Sequence, residues 1–402
     1  MIKLDRDLIK GSFILLVVFN IYAFLNFIFQ SSMARLLSVA DYGVLAALFY
    51  LVYILSIFAE SIQNVLAKTS SIEKDNGHLK NILKRSFKKI YTLTILFFLV
   101  YLILAVPLYF FKEISYSLLA LNGLFIFTSL FLPITRGIMQ GRKKFTSLGI
   151  NLIIEASVKL LLSIALVWIG WKVYGAIIGA VLGTLMALIF SFAPIREITK
   201  ADEKKADNLN LKQDSKSVFL VTFALLSFYI LDIFIAQLVF SREIAGFYAI
   251  AAILSKAIFW GTQPISRAMF PISAEKSKNK TSTDNTYLNA FILLSLIIFI
   301  GLVLFFFFPD FIIRIFSGKD IPESSSILFY LGLATAVLSF ANLNILYKVS
   351  KKNPKNPYTF FIVLAVSISI LFIFNDSLKE YSIAFLTSST IFLWGSIFLL
   401  ND

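Results

Sequence analysis

The sequence predicts an all-α integral membrane protein with about twelve transmembrane helices in two pseudo-symmetric six-helix lobes around a central cavity. Three observations predict this fold class. Hydrophobic residues make up 58% of the 402 residues and charged residues only 15%, against roughly 25% charged in soluble domains. The apolar residues form long continuous runs, and a short motif recurs in both halves. A soluble protein of this length could not bury so much apolar surface.

Twelve apolar runs are long enough to cross a bilayer, because a membrane-spanning helix needs about 20 largely apolar residues. The first run is longer than the apolar core of a signal peptide, so we expect it to be a retained helix. The predicted spans are 12–34, 43–67, 91–111, 114–135, 148–170, 174–194, 217–240, 245–270, 287–308, 325–347, 358–375 and 381–400.

The Lys and Arg residues predict the orientation of these spans. With the N-terminus in the cytoplasm, the loops on that side and the N-terminal segment hold 28 of the 37 Lys and Arg residues, and the outer loops hold 7. Basic loops face the cytoplasm in membrane proteins. We therefore predict a multi-pass protein of the cytoplasmic (inner) membrane with both termini inside. The net charge of +14 is then explained by contacts with anionic lipids, and no nucleic acid partner is expected.

A polar stretch divides the chain into two predicted lobes. Residues 196–216 are rich in Lys, Asp and Asn and fall between the sixth and seventh spans. We predict an N-terminal lobe at 1–195, a cytoplasmic linker at 196–216 and a C-terminal lobe at 217–402. An even number of spans in each lobe gives parallel repeats related by an axis along the membrane normal.

The two lobes share a motif at the outer turn between their first two helices. A shift of 203 residues aligns 37–47 with 240–250. The equal topology of the two places supports an internal repeat. The identical positions are Ser38 with Ser241, Gly43 with Gly246, and Ala46 with Ala249.

Five charged residues lie well inside the predicted spans, where each costs about 2.5–3.5 kcal/mol to insert. Glu155 and Lys159 are four residues apart, so they either neutralise each other on one helix or face a cavity. Lys256 lines the cavity or pairs with Asp232 on the preceding helix. Glu60 is either an ion site or interfacial. Without a P-loop motif the chain has no ATPase engine, so we expect ion coupling, with Glu60, Glu155 and Asp232 as candidates.

The composition argues against an enzyme. The chain has no Cys and a single His, His78, which excludes thiol nucleophiles, Cys-ligated metals and an HExxH zinc motif. The longest predicted outer loop, 309–324, lacks a DxD motif. A membrane-embedded glycosyltransferase or ligase is therefore disfavoured, and we expect neither catalytic residues, nor a metal, nor a cofactor.

Three stretches of the sequence resemble a known group of transporters. They are ARLLSVADYGVLAAL at 34–48, the segment 137–183, and LDIFIAQLVFSREIAGFYAIAAILSK at 231–256 continuing to MFPISAE at 269–275. These stretches are similar to the multidrug/oligosaccharidyl-lipid/polysaccharide exporter superfamily, and within it to the O-antigen and polysaccharide-unit flippases. The resemblance implies movement of a polyprenyl-diphosphate-linked oligosaccharide from the inner to the outer leaflet.

Such a substrate would need a cationic, wet route, because its diphosphate cannot enter hydrocarbon unaided. Arg35, Arg136 and Arg267 lie near span ends, so they either snorkel to the headgroups or grip the diphosphate through their guanidinium forks. Lys159 and Lys256 are further candidate substrate contacts. Tyr22, Asn26 and Gln30 form one stripe on the first helix, which suits either sugar hydroxyls or hydrogen bonds between helices.

Two readings of the resemblance lead to different substrates. A flippase predicts basic residues facing the lumen, and its partners would include the lipid-linked oligosaccharide, membrane lipids, a polysaccharide polymerase and glycosyltransferases. The alternative is a drug or toxin cation antiporter of the same superfamily, which predicts a cavity dominated by acidic residues.

Overall fold

The regular structure of this chain is helical throughout. The computed structural model describes residues 6–53, 55–112, 114–205, 216–279, 281–351 and 357–398, and within these ranges every regular element is a helix. The prediction of an all-α protein is confirmed. Ten helical segments of the described chain are long and apolar enough to cross a membrane. One of them, Phe145–Lys200, contains two predicted spans, and a further predicted span corresponds to the shorter apolar helix Thr359–Ile373.

Fifteen α-helices follow one another in the described ranges. The first eight are α1 (Arg6–Leu36), α2 (Val39–Tyr53), α3 (Leu55–Ile72), α4 (Asn76–Lys112), α5 (Tyr116–Gly141), α6 (Phe145–Leu166), α7 (Lys172–Ser191) and α8 (Arg196–Lys200). The others are α9 (Lys216–Val239), α10 (Arg242–Lys278), α11 (Asp284–Phe307), α12 (Pro309–Ser317), α13 (Pro322–Lys351), α14 (Thr359–Ile373) and α15 (Leu378–Phe398).

These helices form two compact units. The first unit comprises Met1–Asp41 and Val52–Lys212, and the second comprises Tyr42–Leu51 and Gln213–Asp402. The middle of α2 belongs to the second unit, which the predicted lobe boundaries did not include. The division into lobes at 1–195 and 217–402 stays a prediction.

In the first unit, a row of glycines lets α7 pack directly on α6. Gly175, Gly179 and Gly183 are spaced four residues apart on one face of α7. A Cβ atom on Gly179 would lie 2.5 Å from the backbone nitrogen of Ser163, and one on Gly183 would lie 2.8 Å from the backbone nitrogen of Lys159. Small residues at this spacing allow close helix packing in membranes, and here they fix the backbone of α6.

The start of the predicted linker is attached to the first unit. The backbone N–H of Lys204 donates to the carbonyl of Gly77 at 3.2 Å, and its Nζ donates to Asp75 Oδ2 at 2.6 Å. The Lys204 ammonium and the backbone N–H of Gly77 lower the pKa of Asp75 to about 2. The rest of the predicted linker 196–216 includes residues 206–215, which lie outside the described residues.

In the second unit, α10 packs against α13, and α13 packs against α15. The backbone of the middle of α2 lies in direct contact with the backbone of α10. A Cβ atom on Gly43 would lie only 2.8 Å from the Cα of Gly246. Only glycine permits such an approach at this point. The two glycines that coincide in the sequence repeat are therefore in contact.

The repeated serines have the same structural role in both halves. Ser38 precedes α2, and its Oγ accepts a hydrogen bond from the N–H of Asp41 at 3.1 Å. Ser241 precedes α10, and its Oγ accepts from the N–H of Ile244 at 3.4 Å. A serine hydroxyl that binds the N–H three residues later caps a helix N-terminus. The motif thus begins the second helix of each repeat in the same way.

Candidate functional site

A buried group of charges lies inside the first unit. Arg136 on α5 and Glu155 on α6 form an ion pair, with Nη2 of the arginine 2.7 Å from Oε2 of the carboxylate. The Nε of Arg136 donates to Asn151 Oδ1 at 2.8 Å, and Asn151 Nδ2 donates to the Ala187 carbonyl at 2.6 Å. The guanidinium therefore spans one turn of α6, from Asn151 to Glu155.

Lys159 lies one turn further along α6 and contacts the first helix. Its Nζ donates to Asn26 Oδ1 and lies 4.7 Å from the centre of the Phe29 ring. The Asn26 side chain donates to the Tyr22 carbonyl at 2.8 Å. The Tyr22 hydroxyl donates to Glu155 Oε1 at 3.4 Å, so the network closes on the carboxylate that Arg136 binds.

The structure therefore brings five of the predicted residues together. We call this set the first-unit cluster: Tyr22, Asn26, Arg136, Glu155 and Lys159. Glu155 binds Arg136 instead of forming the local pair with Lys159 that the spacing of four residues allows. The arginine fork bonds Glu155 and Asn151 together, whereas Lys159 lies eight residues from Asn151 on the same helix. Two cations and one carboxylate give the cluster a net charge of +1.

A second buried ion pair lies inside the second unit. Nζ of Lys256 on α10 is 2.5 Å from Oδ1 of Asp232 on α9 and donates to the Tyr229 carbonyl at 2.8 Å. The same ammonium lies over two aromatic rings, 4.5 Å from the centre of Tyr50 and 4.8 Å from that of Tyr229. The direct pairing of Lys256 with Asp232, one of the two predicted alternatives, is present.

Two tyrosines complete the surroundings of Asp232. The Tyr248 hydroxyl donates to Asp232 Oδ2 at 3.1 Å, and the Tyr381 hydroxyl donates to the Asp232 carbonyl at 2.7 Å. We call Tyr50, Tyr229, Asp232, Tyr248, Lys256 and Tyr381 the second-unit cluster. Its lysine and aspartate cancel, so its net charge is zero.

The remaining predicted residues lie elsewhere on their helices. Arg35 in the last turn of α1, Glu60 on α3 and Arg267 on α10 are exposed, and Gln30 on α1 is partly buried. The exposure of Arg35 and Arg267 is compatible with both of their predicted roles, which are contact with lipid headgroups and binding of the diphosphate. Their roles in binding or coupling stay predictions, as does the role of Gln30.

Some partners of the two clusters were not predicted from the sequence. Asn151 is four residues before Glu155, so the same spacing that linked Glu155 to Lys159 also points to it. Tyr248 and Tyr381 carry no such signal, because the chain has 16 tyrosines and most suit a membrane helix. The GxxxG spacing that begins at Gly175 is a sequence feature that indicates close packing of α7 on another helix.

The fold is similar to those of solved membrane transporters. It matches an inward-facing multidrug resistance MATE family transporter of the MOP superfamily with a TM-score of 0.78 at 13% identity, covering 94% of both chains. It matches the lipid II flippase MurJ, in an inward closed conformation, with a TM-score of 0.67 at 16% identity over 96% of this chain and 86% of that one. A MOP superfamily transporter from Pyrococcus furiosus Vc1 matches with a TM-score of 0.54 at 13% identity. The match covers 96% of this chain and 92% of that one.

The sequence assigns the family within this class. The model of a family described as polysaccharide biosynthesis protein matches residues 32–326, and the chain belongs to this family. Comparison with curated proteins gave no significant match. The predicted exporter superfamily is confirmed, and the matching solved structures are transporters and a flippase rather than enzymes. The protein is a multi-pass membrane protein of this family.

Proposed function

We propose that this transporter flips polyprenyl-diphosphate-linked oligosaccharide units across the cytoplasmic membrane for surface polysaccharide synthesis, by alternating access between its two lobes. The family description supports a role in polysaccharide biosynthesis. One of the structures with the same fold is a flippase named for lipid II. The observation that carries the proposal is the net positive charge of the first-unit cluster.

Lys159 differs from Arg136 in that its hydrogen-bond partner is a neutral group. Arg136 already neutralises Glu155, whereas Nζ of Lys159 is bound by the neutral amide of Asn26. A buried ammonium with a neutral partner keeps its electrostatic attraction for a phosphate group. A diphosphate would therefore gain more from Lys159 than from Arg136.

The same charge balance argues against an organic cation as substrate. A cation antiporter predicts a site dominated by carboxylates, whereas the first-unit cluster has two cations and one carboxylate and the second-unit cluster is neutral. Bringing a further positive charge beside Arg136 and Lys159 would be repulsive in this low-dielectric setting. A cation antiporter would therefore need a site with a net negative charge, whereas the first-unit cluster has a net positive charge.

Replacing Lys159 with Gln tests the proposal. We expect surface polysaccharide export to fall about tenfold or more in a strain that depends on this transporter, because a charge-assisted bond to phosphate is lost. The matched control is Lys89→Gln, an exposed lysine of α4 in the same unit, which should export within about twofold of the parent, as surface substitutions have small effects.

The outcomes of this test separate the two substrate classes. Normal export by the Lys159→Gln variant, at equal membrane abundance, would contradict the proposed role of the first-unit cluster. Resistance of cells to cationic dyes on expression of the parent chain, without any effect on glycan export, would favour the antiporter. Retention of the lipid-linked glycan in the inner leaflet of a deletion strain would support the flippase.

The proposal includes the predicted topology, with both termini in the cytoplasm of an inner-membrane protein. The chain has no Cys, so single cysteines can report each side. Ser377→Cys, in an exposed predicted outer loop, should react with a membrane-impermeant maleimide in intact cells. Ser282→Cys, in an exposed predicted cytoplasmic loop, should react only after permeabilisation. Labelling of Ser282→Cys in intact cells would reverse the proposed orientation.

The substrate also implies the proteins that act before and after transport. Glycosyltransferases would build the oligosaccharide on its lipid carrier, and a polysaccharide polymerase would use the units after flipping. We include both as proposed partners, together with membrane lipids. Coupling to an ion gradient also stays a prediction. Of its three candidate acids, Glu60 is exposed, while Glu155 and Asp232 are bound by cations.

A further inference from the structure

We propose that the second unit contains a monovalent-cation site which is permanently filled by the side chain of Lys256. The tethered ammonium takes the place that an exchangeable ion would occupy. Asp232 therefore serves as the counter-ion of this lysine and does not bind a coupling ion. This inference concerns the second-unit cluster alone and holds whichever substrate the transporter moves.

The groups around Nζ of Lys256 are those that bind cations in proteins. One carboxylate oxygen, from Asp232, lies at 2.5 Å and one backbone carbonyl oxygen, from Tyr229, at 2.8 Å. The rings of Tyr50 and Tyr229 present their faces at 4.5 Å and 4.8 Å. Aromatic faces attract cations most strongly when both are desolvated, and Lys256 is 1% exposed. Together these groups form a cation-binding cage.

Asp232 has little capacity left for another ion. Its Oδ1 accepts from Lys256 and its Oδ2 accepts from the Tyr248 hydroxyl, and the residue is 0% exposed. The lysine and aspartate charges cancel, so an additional cation would be buried without compensation, which is costly. The geometry therefore shows a filled site instead of an open one.

The shift of 203 residues that aligns the motif at the outer turns also relates the residues that contact the two buried lysines. In the first unit, Lys159 contacts Asn26 and Phe29. With a shift of 203 residues, Asn26 and Phe29 correspond to Tyr229 and Asp232. Lys256 of the second unit contacts both of these residues. The two lysines come from different helices of their repeats, yet each binds the same pair of positions on the first helix.

The difference between the two positions explains their different charges. Phe29 in the first unit is replaced by a carboxylate, Asp232, in the second. The ammonium of the second unit therefore bonds directly to its own counter-ion, whereas the ammonium of the first unit bonds to a neutral amide and shares Glu155 with Arg136. We infer that the first unit retains a charge for an anion, while the second unit satisfies its cation internally.

Removing the lysine side chain should open the site to an external cation. The Lys256→Ala variant lacks Cγ, Cδ, Cε and Nζ, which together correspond to propylammonium. We expect the melting temperature of purified full-length Lys256→Ala in detergent to fall by more than about 5 °C, because a buried carboxylate loses its partner. Propylammonium should raise it again in a saturable way, since binding to the native state stabilises it.

Controls separate occupation of the cage from general salt effects. Ionic strength is kept constant with choline, whose quaternary nitrogen has no N–H to donate to Asp232 and the Tyr229 carbonyl, as Nζ of Lys256 does. The parent protein should not respond to propylammonium, because its site is filled. The double variant Asp232→Asn/Lys256→Ala should not respond either, because the cage has lost its carboxylate. An equal response of the single and double variants, or no response of a folded Lys256→Ala, would overturn the inference.

A second measurement applies even where Lys256→Ala does not fold. In the parent protein, we expect Na⁺ to produce no saturable change in melting temperature that depends on Asp232. A stabilisation of the parent by Na⁺ that Asp232→Asn abolishes would show that Asp232 binds an exchangeable ion and would refute the inference. Both measurements omit the glycolipid, so their failure is distinct from failure of the proposed flippase function.

Discussion

Replacing Glu155 with Gln is expected to destabilise the first unit by about 3–5 kcal/mol, the usual cost of removing one partner of a buried ion pair. The substitution removes the carboxylate that lies 2.7 Å from Arg136 and leaves two buried cations, Arg136 and Lys159, in one cluster. Their mutual repulsion in a low-dielectric environment adds to the loss. Thermal unfolding of the purified protein in detergent measures the effect.

Two further variants show whether the loss comes from the buried charge. Asp202→Asn changes an exposed acid of the same unit and should alter the free energy of unfolding by no more than about 0.5 kcal/mol. The double variant Arg136→Met/Glu155→Gln removes both charges of the pair and should recover part of the stability. Equal stability of Glu155→Gln and Asp202→Asn would contradict the ion pair as a stabilising element.

The spans could be predicted because each depends only on its own sequence. A run of apolar residues must cross the bilayer as a helix whatever it packs against, since its backbone has to be satisfied internally. The described helices accordingly follow the predicted spans closely. The repeated motif was equally local, because Ser38 and Ser241 each cap the helix that follows them.

The partners of the buried charges could not be predicted in the same way, because they depend on which helices pack together. The spacing of Glu155 and Lys159 on one helix favoured a local pair, yet Arg136 on α5 binds the carboxylate. The pair of Lys256 with Asp232 was within reach of prediction, because consecutive helices are usually neighbours. The assignment of residues 42–51 to the second unit has no signal in the local sequence.

The two clusters differ in net charge although their lysines bind corresponding positions of the first helix. The first helix of each half offers the same two positions to a lysine, but only the second half supplies a carboxylate there. The residue at one position, Phe29 in the first half and Asp232 in the second, therefore determines whether the ammonium beside it bonds directly to a carboxylate. In the proposed flippase, this difference leaves an excess positive charge in the first-unit cluster, which also contains the ion pair between Arg136 and Glu155.

Replacing Gly179 with Leu is expected to abolish folding of the first unit, because α7 could no longer pack on α6. Even a Cβ atom at Gly179 would lie 2.5 Å from the backbone nitrogen of Ser163, and backbone cannot move aside as a flexible side chain can. Overpacking of this kind costs about 1–3 kcal/mol for small additions, and four added carbons exceed that range. Monodisperse protein in detergent, measured by size-exclusion chromatography, should be absent.

A graded series tests whether the glycine row also positions the first-unit cluster. Gly183→Ala would place a Cβ atom 2.8 Å from the backbone nitrogen of Lys159, so it should shift α6 at that residue and reduce glycan export more than it reduces stability. The matched control is Gly261→Ala on α10, where the nearest atom to a new Cβ is Ile297 Cγ2 at 3.8 Å. This control should be neutral or slightly stabilising, because alanine favours helix over glycine. Equal export by Gly183→Ala and Gly261→Ala would mean that the position of Lys159 on α6 does not limit transport.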